Sequence, residues 1–266
     1  ISIDAFERCN ITSIIDGFEL VGNVLVKYTG SASRVTIPAG ISTIGPRAFR
    51  GSQVVSVTIP EGVTTIGEKA FYSIKTLENV HLPSSLMTIN EQAFAFCNRL
   101  SDINLENVQF IDAEAFEYCS SLSTITLSDN LKHMGDAAFK NCTSLSKIIV
   151  NGRSGVVENS IPKSISVIPD NAFLECSSLK AFYVPGSIKR IGSYTFRNCS
   201  SLSELVLSEG IEEIGEGCFS KTANLTNLNI PSSVKSIGKN AFIDCRCSHE
   251  IILPKQFEDN KGYYGI

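Results

Sequence analysis

A phenylalanine returns along this chain at an almost fixed interval, and no other feature narrows the possible folds as far. Phe49, Phe71, Phe94, Phe116 and Phe139 follow one another at 22 or 23 residues. A gap of 34 separates Phe139 from Phe173, and Phe196, Phe219 and Phe242 then follow at 23. The surrounding text repeats too. INEQAFAFCNRLSDINL from Ile89 returns as IDAEAFEYCSSLSTITL from Ile111 and as IGSYTFRNCSSLSELVL from Ile191. A period of roughly 20 to 50 residues is the mark of a solenoid, propeller or array. A unit this short cannot bury its apolar edge alone, so it must stack on its neighbours. The 266 residues therefore form one domain of about ten to eleven coils rather than two globular ones.

One repeat reads physically as one coil. Leu100-x-x-Ile103-x-Leu105 points three apolar side chains inward along a short strand, with Asp102 and Asn104 outward, as the two-residue period of a strand requires. A proline often ends the strand, as at Pro60, Pro83, Pro185, Pro231 and Pro254. A second apolar pair follows (Val63 and Ile66, Leu86 and Ile89), and then in many copies a glycine: Gly45, Gly67, Gly135, Gly192, Gly215 and Gly238. These glycines are expected where a turn needs positive φ. The Ala-Phe pair is expected on a short helical turn, with Phe inward.

Two stretches depart from the rhythm. Leu20-Val21 and Val24-Leu25-Val26 flank Gly22-Asn23, a turn signal that predicts a hairpin-like variant coil over about 18–40. The extra length after Phe139 lies at about 151–160, NGRSGVVENS, and its Gly, Ser and Asn content predicts a loop. Seven of the nine cysteines (Cys9, Cys97, Cys119, Cys142, Cys176, Cys199 and Cys245) stand three residues after a repeat Phe. They are expected as an inward ladder of free thiols, since unpaired Cys behaves as a small buried hydrophobe. Strands ~4.8 Å apart are within disulfide reach, but parallel inward side chains would have to twist into the S–S dihedral.

The pattern Ile-Gly-x-x-Ala-Phe-x-x-Cys-x-x-Leu-x-x-Ile-x-Leu-Pro resembles the BspA-like, or treponemal-type, leucine-rich-repeat proteins over essentially the whole chain. VLVKYTGSASRVTIPAGISTIGPRAF, from Val24, is similar to an entry segment common among them. Ser52, Ile74 and Thr222 replace Cys, Thr195 and Cys218 replace Ala, and Met134 replaces Ile, all exchanges that a stacked core accepts. The resemblance implies an α/β repeat fold: a leucine-rich-repeat solenoid with a parallel β-sheet on one face and short helical turns or irregular segments on the other. It also implies a surface or secreted protein that attaches to host matrix proteins such as fibronectin and fibrinogen, or to other cells.

Composition narrows the function classes. The net charge is −4 with mixed signs, which gives no basic footprint for nucleic acid. No run of 18 apolar residues is present, so no membrane insertion is expected. The chain opens inside a repeat, at ISIDAFERC, so its natural N-terminus is expected to lie further upstream. His81, His133 and His249 each stand alone in their repeats, and catalysis needs base, nucleophile and orienter to converge. Neither a phosphate-cradling loop nor a dinucleotide fingerprint appears. Cys245-x-Cys247-x-His249 has the right residue types for a metal but falls short of four ligands. Neither an enzyme, nor a cofactor, nor a metal is expected. Four Asn-x-Ser/Thr sequons, at Asn10, Asn141, Asn198 and Asn224, matter only in a eukaryotic secretory pathway.

The informative positions are those between the second and third inward residues of each strand. They read Thr58, His81, Asn104, Thr126, Ile149, Tyr183, Val206, Asn229 and Ile252. Ile149, Tyr183 and Val206 break the polar rule in three successive coils beside the 151–160 insertion. With Asn151 and Arg153 they form the candidate contact surface for an extracellular protein or glycan, because gathered apolar groups and Tyr favour interfaces. The bland alternative is that the insertion folds over and covers them. A further alternative is a structural spacer that displays another domain of a longer surface protein.

Overall fold

The computed structural model describes residues 13–152, 155–225, 227–245 and 251–266. Cys9, Asn10, Arg153, Cys247 and His249 lie outside them. Each coil has two strand sides and one turn side. The first side carries the longer strands, joined in parallel register: Arg34–Thr36, Ser56–Thr58 and Asn79–His81, then Asp102–Leu105, Thr124–Ser128 and Lys147–Gly152, then Ala181–Val184 and Glu204–Leu207. Ile103, Ile125 and Ile148 pair as one inward row, and Leu105, Leu127 and Val150 as the next. The second side stacks two-residue strands from Thr43–Ile44 to His133–Met134 and from Val167–Ile168 to Ser236–Ile237.

The third side carries the repeat phenylalanine. Of the two forms expected for this side, the chain takes the irregular one. Backbone at positive φ stands two residues before and two after the Phe, as at Gln92 (54°) and Phe96 (63°) around Phe94, and at Glu114 (56°) and Tyr118 (58°) around Phe116. Two left-handed residues four apart prevent a helix and bend the chain into a tight bracket whose middle residue points inward. Each bracket bonds to the next coil: Phe71, Phe94, Phe116 and Phe139 donate their N–H to the carbonyls of Ala93, Ala115, Ala138 and Ala172 at 2.8–3.0 Å. The nine repeat rings, from Phe49 to Phe242, are at most 1% exposed. They stack at 4.6–5.8 Å between centroids with interplanar angles of 3–21°, within the range in which offset-stacked aromatic pairs attract.

The glycines expected in positive-φ turns serve another purpose. Gly67, Gly135, Gly192, Gly215 and Gly238 are not in the left-handed region. A Cβ on Gly135 would instead lie 2.3 Å from the Ala113 nitrogen, and one on Gly238 2.3 Å from that of Glu216. Their N–H groups reach straight into the previous coil, as from Gly135 to the Ile111 carbonyl at 2.8 Å. Close approach of backbone to backbone, rather than turn conformation, selects glycine there.

All seven described cysteines are free thiols, six of them buried. The Sγ of Cys97, Cys119, Cys142, Cys176 and Cys199 also donates to the Phe carbonyl of the preceding coil, at 3.1–3.3 Å. The thiol is therefore more than filler: it closes a weak, directed bond between coils. Where Thr replaces Ala, Thr195 Oγ1 donates to the Pro169 and Gly192 carbonyls, so its hydroxyl is satisfied inside the core. At the outer edge Glu61 accepts from the N–H groups of Ser84 and Ser85 (2.9 and 3.2 Å), and Glu209 does the same for Ser232 and Ser233 (3.0 Å each). At the C-terminal end the bracket pattern continues without a coil of its own, since Asn240 and Phe242 donate to the carbonyls of Tyr263 and Tyr264.

Two outcomes follow from this packing. Phe116→Ala removes a ring that stacks on both neighbours and is expected to cost about 3–5 kcal/mol, read as a lower urea midpoint at unchanged spectroscopic signature. Burial pushes the Cys97 and Cys199 thiols up to about 12, and only the thiolate reacts with alkylating reagents. Native protein at mildly alkaline pH should leave Cys97, Cys119, Cys142, Cys176, Cys199 and Cys218 unlabelled by iodoacetamide, while guanidinium exposes all six to labelling; peptide mass spectrometry reads both states.

Candidate functional site

The insertion after Phe139 is not a plain loop. Lys147–Gly152 turns back as the antiparallel strand Gly155–Glu158, pairing Ile149 with Glu158 and Val150 with Val157. Lys147 and Glu158 close an ion pair at 2.7 Å across this ribbon. Asn159, at φ 50°, then reverses the chain, so that Ser160 lies parallel to Tyr183. The Tyr183 N–H donates to the Asn159 carbonyl at 2.8 Å, and Ser160 Oγ to the Tyr183 carbonyl at 2.9 Å. The signal that could have shown this is Gly155 followed by the β-branched pair Val156-Val157, which reads as a short strand.

This ribbon divides the expected contact surface. Tyr183 and Val206 are paired neighbours, 39% and 54% exposed, and they form one open apolar patch. Ile149 is half-buried, and segment 158–160 stands between it and Tyr183, so the three residues are not one continuous row. Asn151 is exposed; its Nδ2 donates to Glu106 Oε2 at 3.1 Å, and its carbonyl accepts from the Asp129 N–H. Arg153 lies outside the described residues.

The ribbon also creates a cavity. Val150, Val157, Ile161, Tyr183, Asp129 and Lys163 are among the side chains lining a space of about 360 Å³ between it and the Tyr183 strand. Val157 is 47% exposed at its rim. The Tyr183 hydroxyl accepts from Ser208 Oγ at 3.0 Å, which holds the ring across the Val206 strand. The arrangement is an apolar wall with one anion, one cation and a phenol at its edge. Such a composition suits a partner's side chain.

A second depression, about 600 Å³ and polar, lies on the side of the two-residue strands. It lies where the ladder of short strands is interrupted. Gly192, Gly215 and Gly238 donate their N–H to the preceding coil at 2.8 Å, but Pro169 occupies this position after Val167–Ile168 and has no N–H. His133–Met134 pairs only with Phe110–Ile111, and Val167–Ile168 only with Arg190–Ile191, so the ladder is interrupted between them. His133, Asp112, Asp136 and Ser166 line the depression. No hydrogen bond or ion pair among the described residues joins His133 to any of the other three, so no aligned base, nucleophile and orienter is formed. His81 is exposed on its strand. Among the described residues no group of three or more His, Cys, Asp and Glu is placed to hold a metal ion, and no helix is long and apolar enough to cross a membrane.

The family model described as a BspA type leucine rich repeat region matches residues 1–60, 19–146 and 151–263. Among solved structures, the leucine rich repeat protein of T. pallidum is 21% identical with a TM-score of 0.51, over 91% of this chain and 88% of that one. The pneumococcal vaccine antigen PcpA is 22% identical with a TM-score of 0.50, over 81% of this chain and 60% of that one. A leucine rich cell surface protein from Faecalibacterium prausnitzii A2-165 is 23% identical with a TM-score of 0.41, over 94% and 97%. At these identities the likeness is one of fold. No curated protein sequence matches the chain.

Because Tyr183 and Val206 are exposed rather than part of the core, Tyr183→Ser with Val206→Ser should change folding stability by no more than about 1 kcal/mol. Urea denaturation of the double variant measures this, and it sets the condition under which the same variant can be used to test binding.

Proposed function

This chain belongs to the BspA-type leucine-rich-repeat family, and from that premise we propose that it is a non-catalytic binding module of a cell-surface or secreted protein. The reading gives it adhesion to an extracellular partner, a host matrix protein or a glycan on another cell. One observation carries it: the strand face is polar along most of its length but becomes apolar beside the ribbon, where Val157, Tyr183 and Val206 are all open to solvent. A solvated face gains nothing from such side chains, whereas an interface uses them as anchors inside a polar rim. Surface localisation and matrix attachment rest on what the family resemblance implies.

The unbroken stack of Phe brackets also fits a stiff spacer that holds another domain outward, which needs no partner on the strand face. A panel of immobilised fibronectin, fibrinogen and glycans separates the two. Saturable binding at micromolar affinity, weakened about tenfold or more by Tyr183→Ser with Val206→Ser, is the expected result. Binding that survives the double variant removes this patch, and an absence of saturable binding across the panel favours the spacer.

A further inference from the structure

The turn side of the solenoid carries a second exposed row, unconnected with the strand face. Tyr72, Phe96 and Tyr118 come from three successive coils, just after the core Phe of each. Their rings pack in a row on the turn side, Tyr72 edge-on to Phe96 with centroids 5.5 Å apart and planes at 64°, and Phe96 stacked on Tyr118 at 4.8 Å and 11°. Tyr72 and Tyr118 are 36% and 38% exposed. Lys75 Nζ lies 5.4 Å over the Phe96 ring, which adds a cation to the strip.

Tyr72 also lines a pocket of about 290 Å³ whose other walls are Arg47, Arg50 and Lys69. No carboxylate lines it. Lys69 is tied to Glu68 at 3.0 Å, while neither Arg47 nor Arg50 has an ion-pair partner among the described residues. The whole chain is net negative, so this cationic cluster is local. It ends abruptly: the positions equivalent to Arg47 and Lys69 become Gln92 and Glu114 in the next two coils. Two unpaired guanidinium forks at the end of an aromatic strip ask for a ligand that alternates anionic groups with apolar faces.

We propose that this turn-side surface binds an acidic oligosaccharide, one bearing carboxylate or sulfate groups. Its sugar rings pack against the exposed parts of Tyr72 and Tyr118, which Phe96 braces from between them. Its anionic groups enter the pocket, where Arg47 and Arg50 offer planar pairs of donors suited to carboxylate and sulfate oxygens. The site is separate from the Tyr183 patch, so either can fail without the other.

The test is calorimetric titration of the whole chain with a heparin-derived hexasaccharide at physiological salt, beside maltohexaose and polyglutamate. The expected result is saturable binding of the heparin fragment only. Arg47→Asn with Arg50→Ser weakens it about tenfold or more. Tyr72→Ser with Tyr118→Ser, which leaves the charge unchanged, weakens it at least about threefold. Tyr183→Ser with Val206→Ser leaves it unchanged. Circular dichroism melting checks that each variant is folded. No saturable binding overturns the proposal, as does equal binding of polyglutamate, or full affinity without the two tyrosines. Loss of the sugar in the strand-face variant alone assigns it to the other surface and overturns it too.

Discussion

The turn side is the spine on which the rest of this solenoid depends. From Phe49 onward every repeat Phe N–H reaches a carbonyl of the next coil, through Phe139 to Ala172 and on to Phe242 with Tyr264. Neither strand side is so continuous. The long-strand side is divided into separate sheets, and the two-residue side stops at His133–Met134 and resumes at Val167–Ile168. The 34-residue interval is absorbed entirely on the two strand sides, while ring spacing at the spine changes only from 5.3 to 5.8 Å. The reason is geometric. A bracket held by two left-handed residues, with a ring fixed between two others, has little freedom to open.

Most of this was legible in the residues. The interval between phenylalanines and the Leu-x-x-Ile-x-Leu spacing identify the inward positions, and those side chains are the buried ones. Periodicity was less informative where the backbone itself makes the choice. Gly135 looked like a turn residue and is a point of close approach, because a missing Cβ serves either end and the letter does not say which. The left-handed positions two residues either side of Phe are Gly51, Asn141, Asn171, Asn198, Gly217 and Asn240 in some coils, which favour that conformation, but Gln92, Glu114 and Lys69 in others, which carry no signature for it. Pro169 could have been noticed as the residue standing where its neighbours have Gly.

The candidate site was legible only in part, for a related reason. Tyr183 and Val206 were found because an apolar residue at an outward strand position contradicts its surroundings. Val157 and the cavity beside it depend on an insertion outside the repeat, for which the period makes no statement. The turn-side strip of Tyr72, Phe96 and Tyr118 was hidden because aromatic letters next to a core Phe look like more core. Inward positions are held to one chemistry by the neighbouring coils, so the outward ones are where this chain can differ from any other built on the same plan.

The interruption between His133–Met134 and Val167–Ile168 has a mechanical consequence. In a stack where each coil touches only its neighbours, a pull along the axis is transmitted through every boundary in series. Several boundaries carry it on three parallel lines of backbone bonds. The boundary between the Phe139 and Phe173 coils carries it on the spine, through Ala137, Phe139 and Asn141, and on the pairing of Thr124–Ser128 with Lys147–Gly152. The next boundary keeps the spine and the short strands but has on its long-strand side only the contact of Asn159 and Ser160 with Tyr183. Two successive boundaries are therefore each weakened on a different strand side, the ribbon and its cavity belong to the coil between them, and the surface best suited to holding a partner is also the one that stretching would deform first.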